Sequence, residues 1–465
     1  MAAAMAARIE LPDWVSVSAL AGLCGALGLL AGIDARLAIT AALGLGVILI
    51  MLANLTAGLL LFTGLVFLES LLPGGQALTF IKIAGVLLVV SWLAKVATEG
   101  DRGSVLPLAH PGAAFMLVGF LAWAAISVLW AENVPEAWTD LSRYLMAFAF
   151  FVIVFTAVRR REDALRVLAV FIAGCAVTAC YALIARPGAP EADLARVSST
   201  VGNANVVASI LVAGLVLSVA AFRAGRGAPL IRLAAVATAV LSVAALFETG
   251  SRSGAIALGA ALVVAVMVAG RWRLPTFLGS IALALVVATT FVAFAPAEIR
   301  ERIAIVTPGE VPAIEGRTTI WQVGARMVED QPLRGVGVGN FQAASSQYAV
   351  EPGLSARTEL VIDDPQVAHN VYLQVLAELG IVGLALFFGL LAFSLRCALT
   401  AARRFEKSGD EVMEIFARAL IPAVAAVLVS DLFASEQFNK LLWLLLALGP
   451  SLLAIARLAD RPRSP

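Results

Sequence analysis

The chain has 465 residues, of which 61% are hydrophobic and only 14% are charged, and its mean hydropathy is +0.94. A soluble fold of this size could not bury so much apolar surface, so the composition predicts a protein that lies in a lipid bilayer. The formal net charge of +1 excludes nucleic-acid binding through bulk basicity, because such binding needs a concentrated cationic surface.

Apolar runs of 17 to 25 residues recur almost from end to end of the sequence. Each is long enough to cross a hydrocarbon core about 30 Å thick as an α-helix. The predicted spans are residues 14–32, 37–54, 56–73, 79–96, 111–130, 142–158, 164–184, 201–222, 231–247, 252–270, 274–294, 370–395, 414–433 and 440–457. An uncharged link joins the second and third, and the ninth and tenth are short, so twelve is an alternative count. The sequence therefore predicts an all-α polytopic membrane protein with 12–14 transmembrane helices.

Four links between predicted spans are rich in arginine and lysine: residues 158–163, 222–227, 270–273 and 396–407. Because cytoplasmic loops carry an excess of these residues, we predict that all four links, and both termini, are cytoplasmic. The chain then divides into N-terminal spans over residues 1–294, a long extracytoplasmic segment over 295–368, C-terminal spans over 369–457 and a cytoplasmic tail over 458–465. The short cytoplasmic links have no room for an ATPase or nucleotide-sugar domain, so activated substrate must come from the membrane or from outside.

The sequence ETGSRSG, residues 248–254, places Arg252 in a tight turn between two apolar helices. The small flanking residues would let a bulky anionic group approach the backbone, and a guanidinium there could bind phosphate bidentately. The alternative is an arginine at the membrane rim whose side chain extends to lipid headgroups. We keep both interpretations at this point.

The long extracytoplasmic segment contains EGRTTIWQVGARMVEDQPLRGVGVGNF, residues 315–341. Thr318 or Thr319 could cap a helix that ends before Pro332. Its predicted apolar stripe consists of Ile320, Val323 or Gly324, Met327 and Val328. We expect this helix to lie over a site at the membrane surface.

Arg317 stands at the predicted start of that helix, where backbone N–H groups and the helix dipole would add positive potential for an anion. The glycines that follow, Gly335, Gly337 and Gly339, do not form a nucleotide-binding loop, because no strand precedes them and no Lys-Ser/Thr pair follows. We predict that these glycines form turns.

His369 is one of two histidines and falls where the long segment becomes a membrane helix, beside Asn370 and close to Tyr372. An imidazole with an ordinary pKa near 6.5 is suited to accept a proton from a hydroxyl at neutral pH. Glu378, farther along the same helix, could orient a partner or pair with a buried arginine. His110 has no such polar neighbours, and we assign it no role.

Asn203 and Asn205 open another membrane helix on the outer side, and asparagine at such a position is usually a helix cap. Asp363 and Asp364 are adjacent, and no spaced cluster of histidine, cysteine and acidic residues accompanies them. A metal site is therefore not expected.

The segments TVGNANVVAS, SRSG, GRTTIWQVGARMVEDQPLRGVGVGNF and HNVYLQVLAELGIVGL, in that order over residues 198–387, resemble the O-antigen ligase and polymerase superfamily. The resemblance implies a membrane-embedded glycosyltransferase of the GT-C type that needs neither a metal nor a nucleotide sugar. The family's essential arginines map onto Arg252 and Arg317, and its essential histidine maps onto His369. Its further basic residues would correspond to Arg300 or Arg302.

The resemblance implies an inverting transfer of a glycan from an undecaprenyl or similar polyprenyl diphosphate carrier to an acceptor hydroxyl, such as that of lipid A-core. The two arginines would hold the diphosphate and His369 would accept the acceptor's proton. We expect this site to face the periplasm from a bacterial inner membrane. Residues expected to support it are Ser251, Asn203, Asn205, Arg300, Arg302, Trp321, Asn370, Tyr372 and Glu378.

Three alternatives stay open within and outside this class. One is a polysaccharide polymerase or a protein O-oligosaccharyltransferase, which would share the donor but differ in the acceptor. Another is a polysaccharide transporter or flippase, although such proteins place charges at the middle of the bilayer rather than at its rim. The last is a structural membrane protein.

Overall fold

The computed structural model describes residues 29–68, 76–99, 106–184, 204–294, 311–350 and 366–459. The regular elements in those ranges are all helical. The helices are α1 (Ala35–Ala53), α2 (Leu55–Phe67), α3 (Gln76–Glu99), α4 (Leu106–Ala109), α5 (Pro111–Ser127), α6 (Val134–Ala157), α7 (Arg161–Ile184), α8 (Ala204–Ala224), α9 (Pro229–Glu248), α10 (Arg252–Val268), α11 (Arg273–Phe294), α12 (Val311–Asp330), α13 (Phe341–Val350), α14 (Val371–Ser408), α15 (Glu411–Ser430) and α16 (Lys440–Ala459).

Eleven of the described helices are long and apolar enough to cross a membrane, and two shorter apolar helices, α2 and α10, accompany them. These helices coincide with thirteen of the fourteen predicted spans. The remaining prediction, residues 14–32, lies mostly outside the described residues. The protein is therefore an all-α polytopic membrane protein, as the apolar runs predict.

The centre of the helical bundle is formed by α8, α15 and α16, whose apolar windows are 83%, 72% and 83% buried inside the protein. Around them, α14 packs against both α15 and α16, while α9 and α10 pack against α8. Small residues permit the close approaches: a Cβ added at Gly214 on α8 would lie 2.5 Å from the sulfur of Cys175 on α7. By contrast, none of the apolar window of α11 is buried, so this helix lies at the edge of the described bundle.

The four arginine-rich links lie together at one end of the bundle, here called the basic end, as their shared charge predicts. Carboxylates of the α14–α15 region connect them: Arg161 contacts Asp410 at 3.1 Å, and Arg226 contacts Glu411 at 3.0 Å. Arg271 contacts the fully buried Glu414 at 2.6 Å. These ion pairs hold three separate links against the start of α15.

The opposite end, here called the site end, carries the turn before α10, the start of α14, the 3₁₀ turn Val128–Trp130 and the helices α12 and α13. The helix α14 is interrupted there at Gly380, whose φ of 64° and ψ of −170° are not helical. The interruption separates a short first segment, which begins at Val371, from the long membrane-crossing remainder. This first segment carries the side chains that meet α12 and α13.

Candidate functional site

The turn that precedes Arg252 is closed by its own small residues. Gly250 adopts a φ of 53°, a left-handed conformation that glycine adopts without a steric penalty. Ser251 is the N-cap of α10, and its hydroxyl accepts a hydrogen bond from the N–H of Gly254 at 3.1 Å. Arg252 is therefore the first residue of the helix, half-buried at the site end, and the predicted turn is confirmed.

Asn205 connects this turn to α8. The Ser251 hydroxyl donates to the Asn205 side-chain oxygen at 2.8 Å, and Asn205 is itself buried. The expected role of Asn205 as a helix cap is wrong, because Asn205 lies inside the first turn of α8. Its amide oxygen accepts instead from Ser251, the N-cap of α10. Asn203, its predicted companion, lies outside the described residues. The asparagine thus fixes the turn that carries Arg252.

His369 occupies a strained position immediately before α14. Its φ of 48° makes it the one non-glycine residue with positive φ in the described part of the chain. Asn370 is the N-cap that follows, and its side-chain oxygen accepts hydrogen bonds from the N–H groups of Tyr372 and Leu373 at 3.0 and 3.1 Å. Left-handed strain of this kind persists only where the surroundings determine it, and it is concentrated at functional sites.

The pKa of His369 is lowered from the usual 6.5, first by burial of the imidazole and second by the positive charge of Arg317. The pKa of Arg317 is also lowered, because the guanidinium is half-buried. The two side chains therefore lie within electrostatic reach of each other. At neutral pH His369 is uncharged and able to accept a proton, while Arg317 stays protonated because its ordinary pKa is so high.

The predicted start of the helix that carries Arg317 is wrong. Within the described residues α12 begins at Val311, so Arg317 lies in its second turn, and neither Thr318 nor Thr319 caps it. Pro312 can occupy the first turn of a helix because its missing N–H would have no intrahelical partner there. Arg317 therefore contributes its own charge rather than the charge of a helix N-terminus.

The predicted apolar stripe of α12 is confirmed, since Ile320, Val323 and Met327 are all buried. They pack against Phe341 and Ala344 of α13 in a small core of their own at the site end. The helix ends at Asp330, as Pro332 predicts. A Cβ at Gly324 would lie 3.0 Å from the Leu373 side chain, so α12 packs closely on the first segment of α14.

Trp321 attaches α12 to the chain just before His369. Its indole N–H donates to the carbonyl oxygen of Ala368 at 3.0 Å. Ala368 is fully buried in the core shared with α12 and α13. The position of His369 therefore depends on α12 as well as on α14.

The predicted turns at Gly335, Gly337 and Gly339 are confirmed by φ values of 68°, 104° and 68°. The glycines also permit close approach to neighbouring helices, which was not predicted. A Cβ at Gly337 would lie 2.9 Å from Ala131, and one at Gly339 would lie 2.9 Å from the carbonyl oxygen of Glu136. These glycines belong to residues 335–339, here called the glycine loop. The glycine loop therefore lies between the α5–α6 connection and α14.

Glu378 holds this glycine loop. Its buried carboxylate accepts from the N–H of Gly339 at 3.0 Å and from the Gln374 amide at 3.1 Å. Its backbone carbonyl accepts from the N–H of Gly337 at 2.9 Å. The alternative that Glu378 pairs with a buried arginine is wrong for the described residues, where it forms no ion pair with one. Its contacts join the loop that carries Gly337 and Gly339 to the first segment of α14.

The last turn of α15 contacts both α8 and α14 at the site end. The hydroxyl of Tyr372 donates to the Leu428 carbonyl at 2.6 Å, and the hydroxyl of Ser430 donates to the Asn205 carbonyl at 3.2 Å. Tyr372 lies three residues after His369, and Asn205 bonds the residue before Arg252. The structure thus brings Arg252, Arg317 and His369 to the same end of the bundle. There α15 contacts residues that lie next to Arg252 and His369.

Sequence reasoning missed Asp431 and Glu436, which follow α15 at the site end. Asp431 is buried and lies near the phenol of Tyr372. Burial raises the pKa of Glu436 to about 7, although Lys440 opposes the shift. An acidic residue at the end of an otherwise apolar span is a signal that could have identified Asp431. The other predicted supporting residues, Arg300 and Arg302, lie outside the described residues, as do Asp363 and Asp364.

Comparison with known families matches residues 237–388 to the O-antigen ligase family. Comparison with curated proteins gave no significant match. The matched stretch contains Arg252, Arg317 and His369, together with α12, the glycine loop and the first segment of α14. The match supports the placement of this membrane protein in the O-antigen ligase and polymerase superfamily.

Proposed function

We propose that the chain is an O-antigen ligase-like glycosyltransferase of the bacterial inner membrane, with its site end in the periplasm. It moves a glycan from a polyprenyl diphosphate carrier to an acceptor hydroxyl, such as that of lipid A-core. The observation that carries the proposal is the arrangement of His369, held in left-handed strain within electrostatic reach of Arg317, at the same end of the bundle as Arg252. All three residues lie in the stretch that matches the O-antigen ligase family.

The donor's diphosphate binds to Arg252 and Arg317 in this proposal. Guanidinium groups form bidentate, charge-assisted hydrogen bonds with phosphate oxygens, and half-burial strengthens such bonds. Burial of Arg317 destabilises its charge, and a bound anion would offset that cost. As the glycosidic bond breaks, the same groups stabilise the negative charge that develops on the leaving diphosphate.

His369 accepts the proton from the acceptor hydroxyl. The hydroxyl oxygen forms a bond to the anomeric carbon, the bond from that carbon to the phosphate oxygen breaks, and the electron pair leaves with the polyprenyl diphosphate. A single displacement of this kind inverts the anomeric carbon. The lowered pKa keeps the imidazole in its neutral form at pH 7, which is the form that accepts the proton.

The segment over residues 295–368 is half of this site rather than an independent domain. Its helix α12 brings Arg317 over the membrane rim, and Trp321 positions the chain beside His369. The membrane helices supply the other half, because Arg252 and His369 lie at the starts of α10 and α14. The glycine loop, held by Glu378, keeps the two halves together.

The proposal is tested by glycan transfer in phospholipid vesicles that contain the purified protein, a polyprenyl diphosphate-linked glycan and lipid A-core. We expect lipid A-core to gain the glycan with inverted anomeric configuration, and we expect no loss of rate when a chelator is added. Arg252→Ala should lower transfer about 100-fold or more, since loss of one group that stabilises developing charge has an effect of that size. Arg273→Ala, at the basic end, is the matched control.

Transfer to a second lipid-linked glycan instead of lipid A-core would assign polymerase activity to the same site. Near wild-type turnover in a correctly folded Arg252→Ala variant would contradict the role of Arg252. Inactivation by the chelator would contradict the metal-independent mechanism.

A further inference from the structure

A pocket lies away from the site end, in a groove of about 460 Å³ between α5, α14 and α16. Its lining contains apolar residues and two arginines. We call the apolar part, formed by Met116, Gly389, Phe393 and Leu453, the floor, and the basic part, formed by Arg396 and Arg457, the mouth. Such a combination of an apolar floor and two cationic side chains at one edge matches an amphiphile with an anionic head.

Arg396 and Arg457 differ from four arginines near the basic end that contact carboxylates. Arg161, Arg226, Arg271 and Arg418 each form an ion pair with a carboxylate near the basic end. Within the described ranges, Arg396 and Arg457 form no such pair, and no carboxylate lines the groove. The mouth therefore keeps two positive charges without a protein counter-ion in the described part of the chain.

His110 gives a second and independent indication of a ligand. It lines the groove, it is 93% buried, and its Nε2 atom has no hydrogen-bond partner among the described residues. Its ring packs edge-on against Phe155 and Phe393, with centroids 5.7 and 5.4 Å away. A buried polar atom without a partner is costly, and a ligand group that reaches the ring from the groove would lower that cost.

The size of the groove suits a lipid tail. Gly389 and Arg396 are seven residues apart on α14, which is about 10 Å along a helix. A chain that starts at the arginines would reach the floor at Gly389 over that distance. A Cβ at Gly389 would lie 3.2 Å from the Met116 sulfur, so any longer side chain there would fill the floor.

We propose that this groove binds one anionic phospholipid from the membrane, with the phosphate at Arg396 and Arg457 and one acyl chain along the floor. Arginine-rich links lie on the side of a membrane where anionic headgroups attract them. The site is separate from the proposed transferase site, at the other end of the bundle. Its test therefore measures lipid binding and does not depend on glycan transfer.

The test is native mass spectrometry of the full-length protein, delipidated in detergent and titrated with phosphatidylglycerol, phosphatidylcholine or inorganic phosphate. We expect one phosphatidylglycerol to be retained most tightly. Arg396→Ala with Arg457→Ala should weaken that binding about 25-fold, because each basic residue near a membrane surface contributes about fivefold. The control pair, Arg403→Ala with Lys407→Ala, removes the same charge from exposed positions outside the groove and should change the affinity little.

Equal retention of lipid by the two double variants would overturn the proposal. Equal binding of phosphatidylcholine would remove the role of the anionic head, and binding of inorganic phosphate as tight as that of the lipid would assign the site to a free anion instead. A further variant, Gly389→Leu, keeps both arginines but fills the floor. It should lose phosphatidylglycerol while it elutes as a folded protein on size-exclusion chromatography, and unchanged lipid affinity would contradict the acyl-chain position.

Discussion

The carboxylate of Glu378 accepts a hydrogen bond from the backbone N–H of Gly339 at 3.0 Å, across 39 residues of chain. The bond joins the first segment of α14 to the glycine loop, and two further backbone bonds, from Val336 to Ala377 and from Gly337 to Glu378, run beside it. The segment that carries Arg317 is thereby attached to the helix that His369 precedes. A change at this junction should therefore disturb both halves of the proposed site.

Gly335→Ala should destabilise the protein because two costs coincide there. Gly335 has a φ of 68°, and an added Cβ would overlap the backbone of Glu378. The matched control is Gly409→Ala, with a φ of 77° and nothing within 4 Å of the added Cβ. Both changes cost the strain of a left-handed alanine, about 1–2 kcal/mol, and Gly335→Ala should cost about 1–3 kcal/mol more from overpacking.

Thermal unfolding of both variants in the same detergent measures this difference. Equal unfolding temperatures would show that the glycine loop tolerates a side chain and is not packed against α14.

The pH dependence of transfer should depend on Arg317. Because burial and the charge of Arg317 lower the pKa of His369 below 6.5, the neutral imidazole persists below that pH, and kcat/KM should fall only as the pH drops through this lowered pKa. Arg317→Gln removes one of the two causes and should raise the pKa. The acidic limb of the profile should then move to higher pH. Burial, which is the larger cause, remains in this variant, so the pKa of His369 should stay below 6.5.

The measurement is kcat/KM for glycan transfer in vesicles between about pH 5 and 8, where histidine titrates. An acidic limb that stays in place, or moves to lower pH, in Arg317→Gln would contradict electrostatic contact between the two residues.

Trp321 should act as a positioning residue for His369. Trp321→Phe removes the hydrogen bond to the Ala368 carbonyl but keeps an aromatic ring in the core beneath α12. Loss of about 1 kcal/mol from that bond corresponds to about a fivefold fall in rate. We expect the fall in kcat rather than in the donor KM, because the base moves while the arginines stay in place.

Trp138→Phe is the control, since that indole is 60% exposed on α6. Kinetics of both variants at saturating and limiting donor separate the two parameters. A rise in donor KM without a change in kcat for Trp321→Phe would assign Trp321 to donor binding instead.

Much of the fold could be predicted because membrane helices depend on long apolar runs, which are visible in a single sequence. The stripe of Ile320, Val323 and Met327 was predictable for a similar reason, since helical spacing places them on one face. His369 was predictable as a candidate because a titratable side chain at the rim of an apolar span is unusual. These features are local in the sequence.

The features that sequence reasoning missed depend on distant contacts. Arg317 was placed at a helix start because Thr318 and Thr319 are good caps, yet the helix begins earlier at Val311. The loop glycines predicted turns correctly, but not their close approach to Ala131 and α14. The break at Gly380 is stabilised by the N–H of Ile381, which donates to the Pro332 carbonyl at 2.9 Å. Nothing near Gly380 in the sequence identifies that partner.

The most direct test of the account is glycan transfer by His369→Ala in vesicles with purified lipid-linked donor and lipid A-core. We expect the rate to fall about 100-fold or more, as the loss of a positioned general base predicts, while donor binding by Arg252 and Arg317 persists. Gln347→Ala, exposed on α13 at the same end, is the matched control and should transfer at the wild-type rate. Near wild-type turnover by a folded His369→Ala protein would contradict the central claim that His369 is the catalytic base.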